Sequence, residues 1–317
     1  MFWLLTGTKC KPKHPLGSLN AHWCPNPPEI EVNKRICLML FALGPVTTFA
    51  WGEDCEFRAD RAGGVDARGV EKVIVRAGAG DLKVVGRSDA VRIEARGFAC
   101  ASRQELLDAT TLNVRREGNV VTIETSMPQD DEKFSFGLND RSRIELGIAL
   151  PTNIAVEAAD SSGDATFENL ASLQFQDSSG DIEVSRIAGL VDMTDSSGDL
   201  EIEGAGSVRL RDSSGDIEVE DVRGDVEVTS DSSGDIHIER IDGGARVVQD
   251  SSGGIRVEDV KGSIVIEQDS SGDIYAARVG GDFTVNGDSS GSIEHESVRG
   301  AVNMPDRKRG PDNDVER

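Results

Sequence analysis

The tetrapeptide Asp-Ser-Ser-Gly begins at Asp160, Asp177, Asp195, Asp212, Asp231, Asp250, Asp269 and Asp288. The successive spacings are 17, 18, 17, 19, 19, 19 and 19 residues. Self-similarity at a nearly fixed period of this size restricts the chain to a solenoid, in which no unit can bury its apolar face alone and neighbours must stack. The unit from Asp212 to Ser230 shows the pattern. Ile217 and Val219 alternate with Glu218 and Glu220, the period-two signature of a half-buried strand. After a turn at Arg223-Gly224, Val226 and Val228 repeat it around Glu227.

Aligned on the motif, the inward positions form columns. One reads Ala165, Ile182, Leu200, Ile217, Ile236, Ile255, Ile274, Ile293, and the next Phe167, Val184, Ile202, Val219, Ile238, Val257, Ala276, His295. No proline lies between Pro151 and Pro305, as continuous backbone ladders require. The columns predict an all-β fold: a single-chain β-solenoid (β-helix) of about 19-residue coils, with eight repeats over residues 160–305. The last unit degrades at Ser292, His295, Met304 and Pro305, which marks a capping coil, and residues 306–317 read as a disordered tail.

Residues 53–159 read as an N-terminal β-rich cap with entry coils. Lys72–Val75 and Asp81–Val84 are short strands around Gly78-Ala79-Gly80, a decayed repeat turn, and Val91–Glu94 is a third. Leu112–Glu124 forms a hairpin about Glu117-Gly118-Asn119. A helix is expected over Arg103–Ala109, with Ser102 as N-cap and Glu105 at capping-box spacing.

The first 52 residues differ in kind. They hold all three Trp (Trp3, Trp23, Trp51) of the 317-residue chain. Asn33-Lys34-Arg35, the apolar run Ile36–Leu43 and Ala50-Trp51-Gly52 have the three-part layout of a secretory signal peptide cut before Glu53. That run is shorter than the roughly 20 residues a membrane-spanning helix needs. Residues 1–32 are read as an overcalled start, with Val32 the initiator, or as part of one long leader. On either reading, 1–52 is removed and the mature chain has no transmembrane span. Cys10, Cys24 and Cys37 leave with it. Cys55 and Cys100 remain, and two thiols in an exported chain make one disulfide.

Beyond residue 52 the chain carries 29 Lys+Arg against 55 Asp+Glu, so nucleic acid is excluded as a partner of any basic face. Asp-Ser-Ser-Gly suits a turn. The Asp bonds its own backbone two residues on, Ser favours turns, and Gly accepts positive φ. The second reading of the motif is a cation ladder, with Asp212, Asp231, Asp250 and Asp269 among stacked first-position carboxylates and Asp164, Asp181, Asp199, Asp216, Asp235 and Asp273 beside them. The ladder implies weak Ca2+ binding at most, because the Gly-Gly-x-Gly-x-Asp nonapeptide of calcium β-rolls is missing, and no other cofactor is expected. Arg223-Gly224-Asp225 is a turn that happens to spell an integrin tripeptide. His237 and His295 are the only histidines after residue 52, without a Ser-His-Asp, HExxH or phosphate-loop pattern, so no catalytic residue is assigned and no enzyme is expected.

The leader, the early cysteine pair and the train of x-Ser-Gly-Asp-hydrophobic-x-hydrophobic coils over residues 53–303 resemble the bacterial "putative adhesin" family of domains of unknown function. Its β-solenoid is similar to the toastrack-type domains of envelope-stress proteins. The resemblance implies an exported β-solenoid with an adhesive or surface role. The resulting expectation is a non-catalytic adhesin or cell-envelope scaffold, in the periplasm or at the bacterial surface, presenting an acidic repeat surface to an envelope partner. The alternatives are a polysaccharide-active β-helix enzyme, for which the short coil spacing leaves no long loops, and a weak divalent-cation-binding repeat protein.

Overall fold

The computed structural model describes residues 55–128 and 141–305, within a compact unit spanning Gly52–Arg317. The expected leader and the expected tail at 306–317 lie outside the described residues. Two 12-stranded sheets form the walls of a solenoid. From Ala165 onward the first wall takes strands such as Ile217–Val222 and Ile236–Ile241, and the second takes Ser207–Arg211 and Val226–Ser230. Successive coils pair in parallel and in register: Ile217 faces Ile236, Glu218 faces His237, and Val219 faces Ile238. One-residue slippage would turn every apolar column outward, so the columns fix the register.

Each coil points inward what its sequence alternates. Ile217, Val219, Val222, Val226 and Val228 are all at most 1% exposed, and the same five positions are buried in the next two coils. Burying each such side chain is worth about 1.5–3 kcal/mol. Phe167 and Phe175 fill the interior edge to face, with ring centroids 4.6 Å apart. The interior column ends at His295, which is exposed beside Phe283, and Val302 and Met304 are 37% and 41% exposed, as the capping reading requires.

The cap is more involved than its sequence indicates. β1 (Phe57–Asp66), β2 (Lys72–Arg76), β3 (Leu82–Arg87), β4 (Arg92–Ala101), α1 (Gln104–Ala109), β5 (Thr111–Glu117), β6 (Val120–Ser126) and β7 (Ser142–Pro151) precede the regular coils. β2 and β3 flank Gly78-Ala79-Gly80 and make a true coil, pairing in parallel with Ala155–Ala159 and Ala165–Glu168. β1, β4 and β7 then extend one wall, with antiparallel pairing between β1 and β4 and between β4 and β7, and the β5–β6 hairpin extends the other. β1 and β7 escaped the sequence reading. β1 carries charge and a Gly-Gly pair, and β7 contains Gly147 and ends on a proline.

Cys55 and Cys100 form the expected disulfide, with Cα atoms 5.6 Å apart, tying the segment just before β1 to β4. The helix is one residue shorter than expected, and Arg103 occupies the N-cap without a side-chain bond. Ser102 does not cap it. Its hydroxyl accepts the Arg141 amide instead, at 3.1 Å.

Three substitutions test this architecture. Ile236→Asp places a charge at a site 1% exposed and should lower stability by several kcal/mol, whereas Glu218→Lys on the outer face should change it by less than about 0.5 kcal/mol. Gly234 has φ +131°, and a Cβ there would lie 1.8 Å from the Gly215 carbonyl oxygen, so Gly234→Ala should cost at least about 2 kcal/mol. Denaturant melts of the three variants check these outcomes.

Candidate functional site

Six of the eight repeat turns have an inner and an outer carboxylate, and the two sit in opposite surroundings. The first-position Asp points inward. Asp195, Asp212, Asp231, Asp250 and Asp269 are at most 1% exposed, and Asp160 and Asp177 are 6% exposed. Asp269 accepts the Ser271 amide two residues on at 3.2 Å, whereas Asp231 and Asp250 accept the next amide, at 2.7 and 2.8 Å. No carboxyl oxygen of Asp160, Asp177, Asp195 or Asp212 reaches full hydrogen-bond geometry, although the Ser amides of each turn lie close enough to favour the charged form. The expected Asx-type bond is therefore formed at Asp269 but not at Asp160, Asp177, Asp195, Asp212, Asp231 or Asp250, and the column is an interior one rather than a ladder open to solvent.

Burial sets the chemistry of that column. Desolvation disfavours the charged form, and neighbouring carboxyls in the stack add to it. Asp160 is pushed up to about 7, and Asp177 and Asp212 to about 6, chiefly by burial, with the Ser amides of each turn pulling the other way. Asp195 and Asp231 shift upward for the same reason. Asp250 and Asp269 are also raised, chiefly by burial, with repulsion from the neighbouring carboxyls of the stack adding to it.

The fifth-position Asp, present in six of the turns, is exposed and bonds to the following coil. Asp181 accepts the Asp199 amide at 3.1 Å, Asp199 that of Asp216 at 3.0 Å, Asp216 that of Asp235 at 2.9 Å and Asp235 that of Gly254 at 2.8 Å. Asp164 and Asp273 do the same toward Asp181 and Ser292. These carboxylates latch coil to coil. The second Ser hydroxyl of each turn donates to the first Ser carbonyl of the turn before, as Ser252 does to Ser232 at 3.0 Å.

At the opposite corner the chain takes positive φ at Asn169, Arg186, Asp221, Arg240, Asp259, Arg278 and Ser297, which the sequence did not announce. The arginines fork onto the acidic residue one coil earlier: Arg240 to Asp221 at 2.8 and 3.2 Å, Arg278 to Asp259 at 2.6 and 2.7 Å. A groove of about 680 Å³ runs along this corner, lined by these pairs with Asp242, Lys261 and Arg299. Its carboxylates suit ion pairing rather than proton transfer. Hydrogen bonds from Arg240 and Arg278 hold Asp221 and Asp259 below the usual carboxylate range. Arg223 and Asp225 of the integrin-like tripeptide are engaged in the same way, donating to the Ala188 carbonyl and accepting the Gly244 amide.

The outer face of the first wall carries acidic rows. Glu183 faces Glu201, Glu201 faces Glu218, and Glu203, Glu220, Glu239 and Glu258 follow one another in register. Among the described residues, one set of three side chains has metal-ligating spacing: Glu220, His237 and Glu239. It does not coincide with Asp212, Asp231, Asp250 and Asp269. Sequence reasoning missed it, although alignment on the period puts His237 in the Glu218 column.

A family model described as Toastrack DUF4097 matches residues 86–297, two thirds of the chain. The chain belongs to the Toastrack family. Among solved structures, this Toastrack chain is similar to a "putative adhesin" from Bacteroides fragilis, at 14% identity and TM-score 0.38, covering 79% of this chain and 98% of that one. It is also similar to a "putative lipid binding protein" from Parabacteroides distasonis, at 16% identity and TM-score 0.40, covering 78% and 96%. No curated protein sequence matches it significantly. Among the described residues, no helix of this Toastrack chain is long and apolar enough to cross a membrane.

The inner column gives the protein an unusual pH profile. A carboxyl whose folded pKa exceeds its ordinary value near 3.8 is protonated in both states below that value, so its stability is then fully present. As pH rises, the unfolded chain ionises first, and stability is lost up to the folded value near 6–7. The lowered Asp66, Asp221 and Asp259 act oppositely, and only below about 3.8. The melting temperature should therefore be higher at pH 5 than at pH 8, and Asp212→Asn should raise it at pH 8 and flatten the profile.

Proposed function

We propose that the chain is an exported, non-catalytic scaffold of the bacterial cell envelope that presents rows of acidic side chains to a cationic partner surface. The observation that carries this reading is the in-register acidic face. Glu183, Glu201 and Glu203 are exposed on adjacent strands, and two such charges about 5 Å apart repel by roughly 3–4 kcal/mol at an effective dielectric of 20. A face that holds unfavourable self-repulsion gains when a partner supplies the opposite charge. The repeating ladder beneath it keeps the rows rigid, so little ordering is lost on docking.

The competing reading, a polysaccharide-active enzyme, would need a carboxyl acid with a raised pKa beside a carboxylate in a groove. The corner groove instead pairs Asp221, Asp242 and Asp259 with Arg240, Lys261 and Arg278. The raised carboxyls of the turns are buried, out of reach of a substrate, and the raised Glu145 lies on β7 beside Arg143, outside the lining of the corner groove. Both facts support the non-catalytic reading.

Deleting the gene should weaken surface attachment or envelope integrity, and the wild-type chain should restore it. The triple variant Glu183→Lys, Glu201→Lys, Glu203→Lys should melt like the wild type yet fail to restore the phenotype. A deletion strain indistinguishable from its parent in both assays, or full rescue by the triple variant, would count against the proposal.

A further inference from the structure

We propose that Glu220, His237 and Glu239 form a binding site for one borderline divalent metal ion of the Zn2+ class. His237 and Glu239 are two residues apart on one strand and so share its outer face. Glu239 pairs in register with Glu220 of the preceding coil. One ligand atom from each side chain falls within 4.8 Å of the others, and all three residues are half-buried. An imidazole nitrogen with two carboxylate oxygens is a donor set for Zn2+, Ni2+, Co2+ or Cu2+, whereas Ca2+ and Mg2+ take oxygen ligands. Because the set lies on an outer face, water can complete the coordination.

Two further observations point to a ligand. The His237 Nε2 atom is shut off from solvent and has no hydrogen-bond partner. It faces Glu239 Oε2 at 3.8 Å, too far for a hydrogen bond, leaving room for an ion between them. The charge balance is also incomplete. Glu220, Glu239 and Asp221 surround a single cation, Arg240, which contacts Glu220, reaches Glu239 at 2.8 Å and forks onto Asp221. That group carries two net negative charges, matching a divalent ion. Arg240 can release the two glutamates and keep both bonds to Asp221. On the far side of His237, Arg256 is committed to Glu258 at 2.8 Å and to the Tyr275 ring at 4.5 Å. The inward-pointing Asp column offers no such mixed donor set. His237 is also the one histidine in its column, where the flanking coils carry Glu218 and Arg256.

The test is Zn2+ titration of the full chain by calorimetry, with melting followed in parallel. His237→Gln and Glu239→Gln each serve as comparison, so that leader histidines and cysteines contribute equally throughout. The wild type should bind one more equivalent than either variant, or bind it at least tenfold more tightly, and only the wild type should gain melting temperature from that equivalent. Equimolar Ca2+ should not displace it. Arg240→Asn removes the competing guanidinium while tolerating positive φ, and should tighten Zn2+ binding severalfold. Should a glutamine variant fail to fold, as judged by its melt in EDTA, the Arg240→Asn arm decides. Identical stoichiometry and affinity in wild type and folded glutamine variants, or unchanged or weaker binding in Arg240→Asn, would overturn the proposal.

Discussion

The structure depends on the contact between turn glycines. Each Asp-Ser-Ser-Gly corner places its glycine directly over the glycine of the coil before, at φ between +120° and +145° from Gly163 to Gly291. From Gly180 onward an added Cβ would lie 1.6–2.0 Å from the previous glycine's carbonyl oxygen. Only a residue without a side chain lets parallel strands keep their spacing of about 4.8 Å through a sharp corner. Register, wall pairing and the inward columns follow from that stacking, because a corner that repeats in space forces the strands it joins to repeat as well.

The same stacking forces like charges together. In register, the inner Asp of successive coils sit side by side, and on the first wall Glu183, Glu201 and Glu218, like Glu203, Glu220, Glu239 and Glu258, follow one another. The protein resolves the two cases differently. Inside, burial raises the carboxyls well above their ordinary value, so the column sheds its charge in mildly acidic solution. Outside, the fifth-position carboxylates accept amides of the next coil, and arginines at the positive-φ corner neutralise the acidic residue one coil earlier. The glutamate rows of the first wall stay less compensated, and there a partner or an ion has most to offer.

Much of this was legible in the sequence. The period, the inward columns, the glycine turn, the decayed turn at Gly78–Gly80 and the disulfide all follow from residue spacing and type. The direction of the first-position Asp did not. Asp in a turn reads as a solvated or self-bonding residue, and only the closed cross-section shows its carboxyl facing inward. β1 and β7 were hidden because their pairing, antiparallel to β4 and for β7 also parallel to β3, is distant in sequence, with no repeat to announce it. The positive-φ corner was hidden because Arg, Asp and Asn occupy it in place of glycine, supported by ion pairs between coils rather than by local propensity. The Glu220–His237–Glu239 set needed the register of two strands, although the period already placed His237 opposite Glu218.

Carbon-detected NMR titration of the Asp side-chain carboxyls measures this account most directly. It predicts that Asp160, Asp177 and Asp212 titrate near pH 6–7, while Asp221, Asp259 and Asp273 titrate below the ordinary value of 3.8. Titration of all six near 3.8 would show that the inner column is hydrated and ionised, and would contradict a corner built on buried, proton-bearing carboxyls.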